Sequence, residues 1–380
     1  MLFGWLLALF LANAISLSIR AGGKPNFAEP FLKCRTFGVD NGLTRIIASD
    51  NISDNSTVNI SDNSTEIILT TDGYSLISLN TSVFKESWKS QTGGRLESFA
   101  LTDENNLYVL SSYPAEDKTK IYNLTSASLK TGLTIWQKKI QGFSNLKLNG
   151  IKNGEFLFLL AGDKHLLAAS KLNGQIIWDK HFPAPVTALY QSTPEKIDAL
   201  LNDRLQTISI LTGDVLEELN LKKLSPTAAV IETQSLLLGY ETGETSKIAL
   251  NGKREDVIWR IKAGGGISGL LAYQNLVLVT SLDNFIYLYS GDSGKLRWKK
   301  RVAGRINIKP QIFGDYALVL NSGDNSAAVI DLRDGKVVNQ IQLEDENFFS
   351  GEPVLTGRYL VMQTSKGLYF YANPSAANCA

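Results

Sequence analysis

The chain has 380 residues, 44% of them hydrophobic and 20% charged, with 38 Lys and Arg against 37 Asp and Glu. A formal net charge of +1 leaves no overall electrostatic footprint for nucleic acid or for an anionic membrane. The apolar fraction supports a large buried core, which excludes a chain disordered over most of its length.

Residues 1–21 read as an export signal with a short leader. Leu2 to Leu11 is apolar, and Ala12-Asn13-Ala14 offers the small-x-small pattern of a cleavage site. No Lys or Arg precedes the apolar run, and extending it to Ile19 approaches the length of a membrane span, so an uncleaved anchor is the alternative. No cysteine follows closely enough to accept a bacterial lipid. Residues 22–380 are then expected to form one domain. Its two cysteines, Cys34 and Cys379, stand near its two ends, and an oxidising compartment favours their pairing. Two unrelated free thiols are the alternative.

From Asn51 to Thr65 the chain repeats Asn-Ile-Ser-Asp-Asn-Ser-Thr. This polar duplication is expected to be a flexible loop at about 49–65. It carries Asn-x-Ser/Thr sequons at Asn51, Asn55, Asn59 and Asn63, joined later by Asn80 and Asn123. They read either as glycan acceptors or, in a bacterial chain, as plain polar sequence.

Two periodic series then run to the C-terminus. The first is tryptophan, at Trp88, Trp136, Trp178, Trp259 and Trp298, often four residues after a turn glycine. Gly132, Gly174 and Gly294 precede Trp136, Trp178 and Trp298 in this way. Gly213 and Gly335 keep the turn but are followed by Glu217 and Asn339, Gly252 precedes a longer charged insert before Trp259, and the Trp88 copy has lost its glycine. The second series consists of short apolar runs, from Ile67-Ile68-Leu69 through Leu107–Leu110 to Tyr359–Met362, eight in all. Both series have a period of about forty residues, which marks a repeat architecture.

Each apolar run predicts a buried inner strand, followed by an alternating strand such as Asn284–Tyr289, a glycine turn, and an outer strand carrying the tryptophan. The indole is expected to cover the contact between neighbouring units near the rim. Charges on the outer strands, as at Lys295, Arg297, Lys299, Lys300 and Arg301, read as a guard against edge-to-edge pairing rather than as a nucleic-acid surface. The last unit lacks an outer strand, and the spare segment Phe31–Phe37 is the candidate replacement. The predicted fold is therefore all-β: an eight-bladed β-propeller of four-stranded antiparallel blades, the last closed by the N-terminal strand. That closure would bring Cys34 and Cys379 together.

The copies Asp283–Trp298 and His165–Trp178 resemble the pyrroloquinoline-quinone repeat, whose pattern is roughly Gly-x-Leu-Tyr-Ala-Leu-Asp-x-x-Thr-Gly-x-x-x-Trp. That family includes quinone dehydrogenases and non-enzymatic propellers such as the BamB-like outer-membrane assembly proteins. The dehydrogenases carry adjacent cysteines over the quinone and an acidic calcium site, and this chain has no adjacent cysteines. The resemblance thus implies a non-enzymatic scaffold binding protein partners in the periplasm or outside the cell, with no cofactor, metal or catalytic residues. A quinone-dependent oxidoreductase is the alternative. Gly264-Gly265-Gly266-Ile267-Ser268-Gly269 has the Gly-x-Gly-x-x-Gly spacing of dinucleotide loops, but it is expected between two strands, as a connection between blades. The only histidines, His165 and His181, are expected as separate surface or rim residues.

Overall fold

The computed structural model describes Phe27 and residues 30–37, 45–49, 66–70, 72–101, 105–116, 120–149, 154–162, 164–223, 225–232, 234–250, 255–306, 308–356 and 359–372. The signal segment, the duplicated polar stretch Asn51–Thr65, Gly252 and Cys379 lie outside the described residues.

Eight four-stranded antiparallel sheets follow one another along the chain. Blade 1 comprises Arg45–Ser49, Glu66–Thr70, Ser75–Asn80 and Lys85–Gln91; blade 2 comprises Arg95–Leu101, Asn106–Pro114, Lys120–Ser128 and Thr134–Ile140. Blades 3 to 7 start at Lys147, Val186, Ala228, Ile267 and Gln311. Blade 8 contains Val354–Leu355, Tyr359–Thr364 and Gly367–Ala372, and Leu32–Phe37 completes it. Leu32 pairs with Ala372 and Phe37 with Leu368, so the two ends of the chain share one sheet. Cys34 sits at the bulge between Lys33 and Arg35 in this closing strand.

The apolar run is the second strand of each blade rather than the innermost. A strand of two to eight residues precedes it, and these first strands approach one another between blades 1 and 2, 2 and 3, and 5 and 6. They therefore mark the axis. The third strand is also buried on both faces where alternation was expected, as the continuous burial of Leu76 to Leu79 shows. A blade sandwiched between two others presents no wet face, and both its middle strands lose their polar side.

The core is divided among the seams. One cluster joins blades 1 and 2 through Ile68, Leu76, Leu107 and Val109. Another joins blades 8 and 1 through Ile67, Leu69, Val361 and Phe370. Corresponding clusters fill the six remaining seams. Every blade is held on both sides, which is what closes the ring.

The tryptophans lock these seams from outside. The Nε1–H of Trp88, Trp136, Trp178, Trp259 and Trp298 donates across the seam to the carbonyl of Leu129, Lys171, Ile210, Gly291 and Leu332, at 2.7–2.9 Å. Each ring lies flat on the next blade's turn glycine: a Cβ on Gly132, Gly174, Gly213, Gly294 or Gly335 would fall 2.4–3.0 Å from the indole. The glycine is needed twice, for this approach and for a φ near +70°.

Where the series lapses, other residues stand in. Asn339 occupies the tryptophan position of blade 7 opposite Val329, and its Nδ2 donates to the Phe27 carbonyl at 3.3 Å. Phe27 is stacked on Phe313 and replaces the missing turn. At the closing seam the roles reverse. Arg35 holds the tryptophan position, Phe84 holds the glycine position with φ +51°, and the guanidinium lies 4.5 Å from the ring centre. Phe84 also meets Phe370 edge-on at 5.0 Å.

Candidate interaction cleft

Blade 2 departs from its neighbours. Its second and third strands are nine residues long against six in most blades, so their hairpin projects beyond the ring. Between this hairpin and the connection to blade 3 lies a cleft of about 1150 Å³. Tyr113, Pro114, Ile121 and Phe143 supply its apolar wall, and Glu116 and Lys120 its charged mouth.

Hydrogen bonds pin the base of the cleft. Tyr122 is fully buried, and its hydroxyl accepts the Leu146 N–H at 3.2 Å, tying the connection to the hairpin. Glu97, on the axial strand, accepts from Lys120 at 2.7 Å and from Ser112 at 2.5 Å. Partial burial pushes the Glu97 carboxyl up, but these hydrogen bonds outweigh it and hold the group below its ordinary range. The Lys120 ammonium is correspondingly raised by its bond to Glu97. The cleft thus offers fixed aromatic and prolyl surface beside paired charges, which suits an extended peptide better than a reacting small molecule.

The histidines are not separate. His165 opens the third strand of blade 3 and His181 ends its outer strand, so antiparallel pairing sets them opposite each other with ring centres 4.7 Å apart. His165 Nδ1 lies 3.0 Å from Asp179 Oδ1, and its ring meets Phe143 of the cleft wall edge-on at 5.9 Å. The sequence holds a cue, since the two histidines bracket one hairpin. Among the described residues no three His, Cys, Asp or Glu side chains are grouped to hold a metal.

The tandem glycines connect the outer strand of blade 5 to the first strand of blade 6, with no helix. Gly264 N–H donates to Asp283 Oδ2 at 3.0 Å, and a Cβ on Gly265 would sit 2.7 Å from the Asp283 nitrogen. Close approach of the next hairpin accounts for these glycines. A second cavity of about 500 Å³ lies near the axis, lined by Ala228, Ser268, Thr280, Lys309 and Glu352. Asn123 is buried, with its Nδ2 donating to the Gly93 carbonyl at 3.2 Å, so this sequon is closed to a glycan.

Blade 2's long hairpin has one sequence signal, the interval between Trp88 and Trp136, which exceeds that between Trp136 and Trp178. That extra length shows an insertion without showing that it makes a wall.

Residues 244–376 match the family model described as outer membrane protein assembly factor BamB. No curated protein matches the chain. Among solved structures, BamB from Moraxella catarrhalis is similar over 87% of this chain and 99% of its own, with a TM-score of 0.62 and 10% identity. The computationally designed Ika8 protein is similar over 90% of this chain and 99% of its own, with a TM-score of 0.65 and 11% identity. A designed ring and a natural assembly factor fit about equally well, so these likenesses establish the fold alone.

Proposed function

We propose that this eight-bladed propeller, with pyrroloquinoline-quinone-like repeats similar to BamB, is a non-enzymatic protein-binding scaffold of the cell envelope. The observation that carries the proposal is the cleft of blade 2. The ring closes without the added length of that hairpin, and the addition creates an open groove walled by Tyr113, Pro114, Ile121 and Phe143. Binding loops on a rigid β scaffold are a common use of such a fold. The export segment read from the sequence and the match to the BamB family model support an envelope location. Among the described residues no helix is long and apolar enough to cross a membrane.

In-cell photo-crosslinking tests this reading. A photoreactive residue at Tyr113 is expected to give a discrete protein adduct that Phe143→Asp abolishes, while the same probe at Arg297 on the rim gives none. No adduct at Tyr113 would overturn the scaffold. Reconstitution with pyrroloquinoline quinone and calcium is expected to give no quinone-dependent dye reduction; turnover would establish the oxidoreductase instead.

A further inference from the structure

In blades 1 to 4, 6 and 7 the turn between third and outer strand lies on one face of the disc, because these blades share one strand order around one axis; blade 8 has no such turn, but Leu32 opens its outer strand at that same face, opposite Ala372. These turns are equivalent, so each is a control for what the fold requires of the others. Blades 6 and 7 have charged tips, with Asp292 and Lys295 in one and Arg333, Asp334 and Lys336 in the other. From blade 8 through blade 4 the tips are apolar and bare. Leu32, Val83, Leu133, Leu172 and Leu211 are 59, 68, 70, 84 and 60% exposed.

Five exposed apolar tips in five consecutive blades are not needed for folding, since blades 6 and 7 fold without them. Single exposed apolar side chains are ordinary, but five on one face and in one arc of the ring form a recurring apolar feature. The side chains stand on separate convex turns rather than lining a groove, which fits a deformable apolar phase better than a shaped partner. Lys85 and Lys130 are exposed beside Val83 and Leu133, where they can meet anionic headgroups, and Glu86 and Asp214 are exposed in the same arc.

From these tips we infer that blades 8 to 4 dock the propeller on a lipid bilayer, Leu32, Val83, Leu133, Leu172 and Leu211 entering the headgroup and upper acyl region. The docking is peripheral. Phe27, which takes the place of a turn at the seam of blades 7 and 8, lies at this same face. The blade 2 hairpin joins second and third strands and so projects from the opposite face, leaving the cleft open to a partner.

Depth-dependent quenching on vesicles of phosphatidylethanolamine and phosphatidylglycerol is a direct test. An environment-sensitive fluorescent amino acid replaces Leu172 in the full chain, or Asp292 at the matching turn of blade 6 in a control. Lipids brominated on their acyl chains are expected to quench the probe at 172 and leave that at 292 unquenched. Adding Leu133→Ser and Leu211→Ser should weaken vesicle binding by about tenfold or more at an unchanged thermal midpoint. An unquenched probe at 172, equal quenching at both sites, or indifference to the serine substitutions would each overturn membrane docking. A protein partner on this arc would give the first of these outcomes. The cleft's crosslinking result is read separately and does not depend on this one.

Discussion

Replacing Gly174 by alanine tests whether the tryptophan–glycine stack holds the seams. Gly174 has φ +70°, and the new Cβ would lie 2.5 Å from Cζ3 of Trp136 and 3.0 Å from the Lys138 Cβ. An alanine in the left-handed region costs about 1–2 kcal/mol. Moving the indole out of a filled seam adds about 1–3 kcal/mol. The shift also strains the bond from Trp136 to the Lys171 carbonyl, worth about 1 kcal/mol. The expected loss is therefore about 3–6 kcal/mol. Gly73 provides the control, with φ +75° and nothing within 4 Å of its added Cβ, so Gly73→Ala should show only the backbone cost. Urea unfolding followed by near-ultraviolet circular dichroism measures both variants, with equal slopes required before their midpoints are compared. If the two variants lose the same stability, the stacking account fails and the glycines serve the turn alone.

Three further outcomes follow from the closure. Phe84→Ala should destabilise the ring by about 2–4 kcal/mol, since it removes the ring under Arg35 and the edge contacts to Tyr359 and Phe370; an Arg35→Met change in the same unfolding assay should cost less. A Cys34–Cys379 disulfide is proposed to lock the last blade, worth about 6 kcal/mol by loop-closure entropy; mass spectrometry after alkylation without reduction should find no free thiol, and two alkylated cysteines would refute it. The bond from Lys33 to Glu344 outweighs partial burial and lowers the Glu344 carboxyl from 4.5 to about 2. Its stabilisation is thus present above about pH 4.5 and lost as the pH falls toward 2. Both side chains are more than a third exposed, so after solvent screening it should amount to less than about 1 kcal/mol; Glu344→Gln should flatten stability over that acid window and leave neutral pH nearly unchanged.

The sequence alone determined the ring. A forty-residue rhythm of apolar runs can be buried only by stacking like units, and a final unit short of one strand can be completed by the spare segment Phe31–Phe37. Local chemistry also suffices for the turns, because a positive φ selects glycine wherever the chain folds. What the period could not reveal are the departures from it. Phe84 at a glycine position and Arg35 at a tryptophan position form one contact, but they stand at opposite sides of the seam that joins the chain's two ends, and no local pattern pairs them. The axial strands range from two to eight residues and differ in polarity from blade to blade, so they leave no common apolar signature. His165 and His181 look solitary until strand pairing sets them opposite, and the length added to blade 2 becomes a cleft only when the connection to blade 3 packs beside it. Burial, turn geometry and periodicity act between residues near in sequence or repeated along it. The histidine pair needs only its own hairpin and the cleft only the neighbouring connection, whereas the Arg35–Phe84 contact and the apolar arc join distant segments, and only closing the ring decides which of those residues meet.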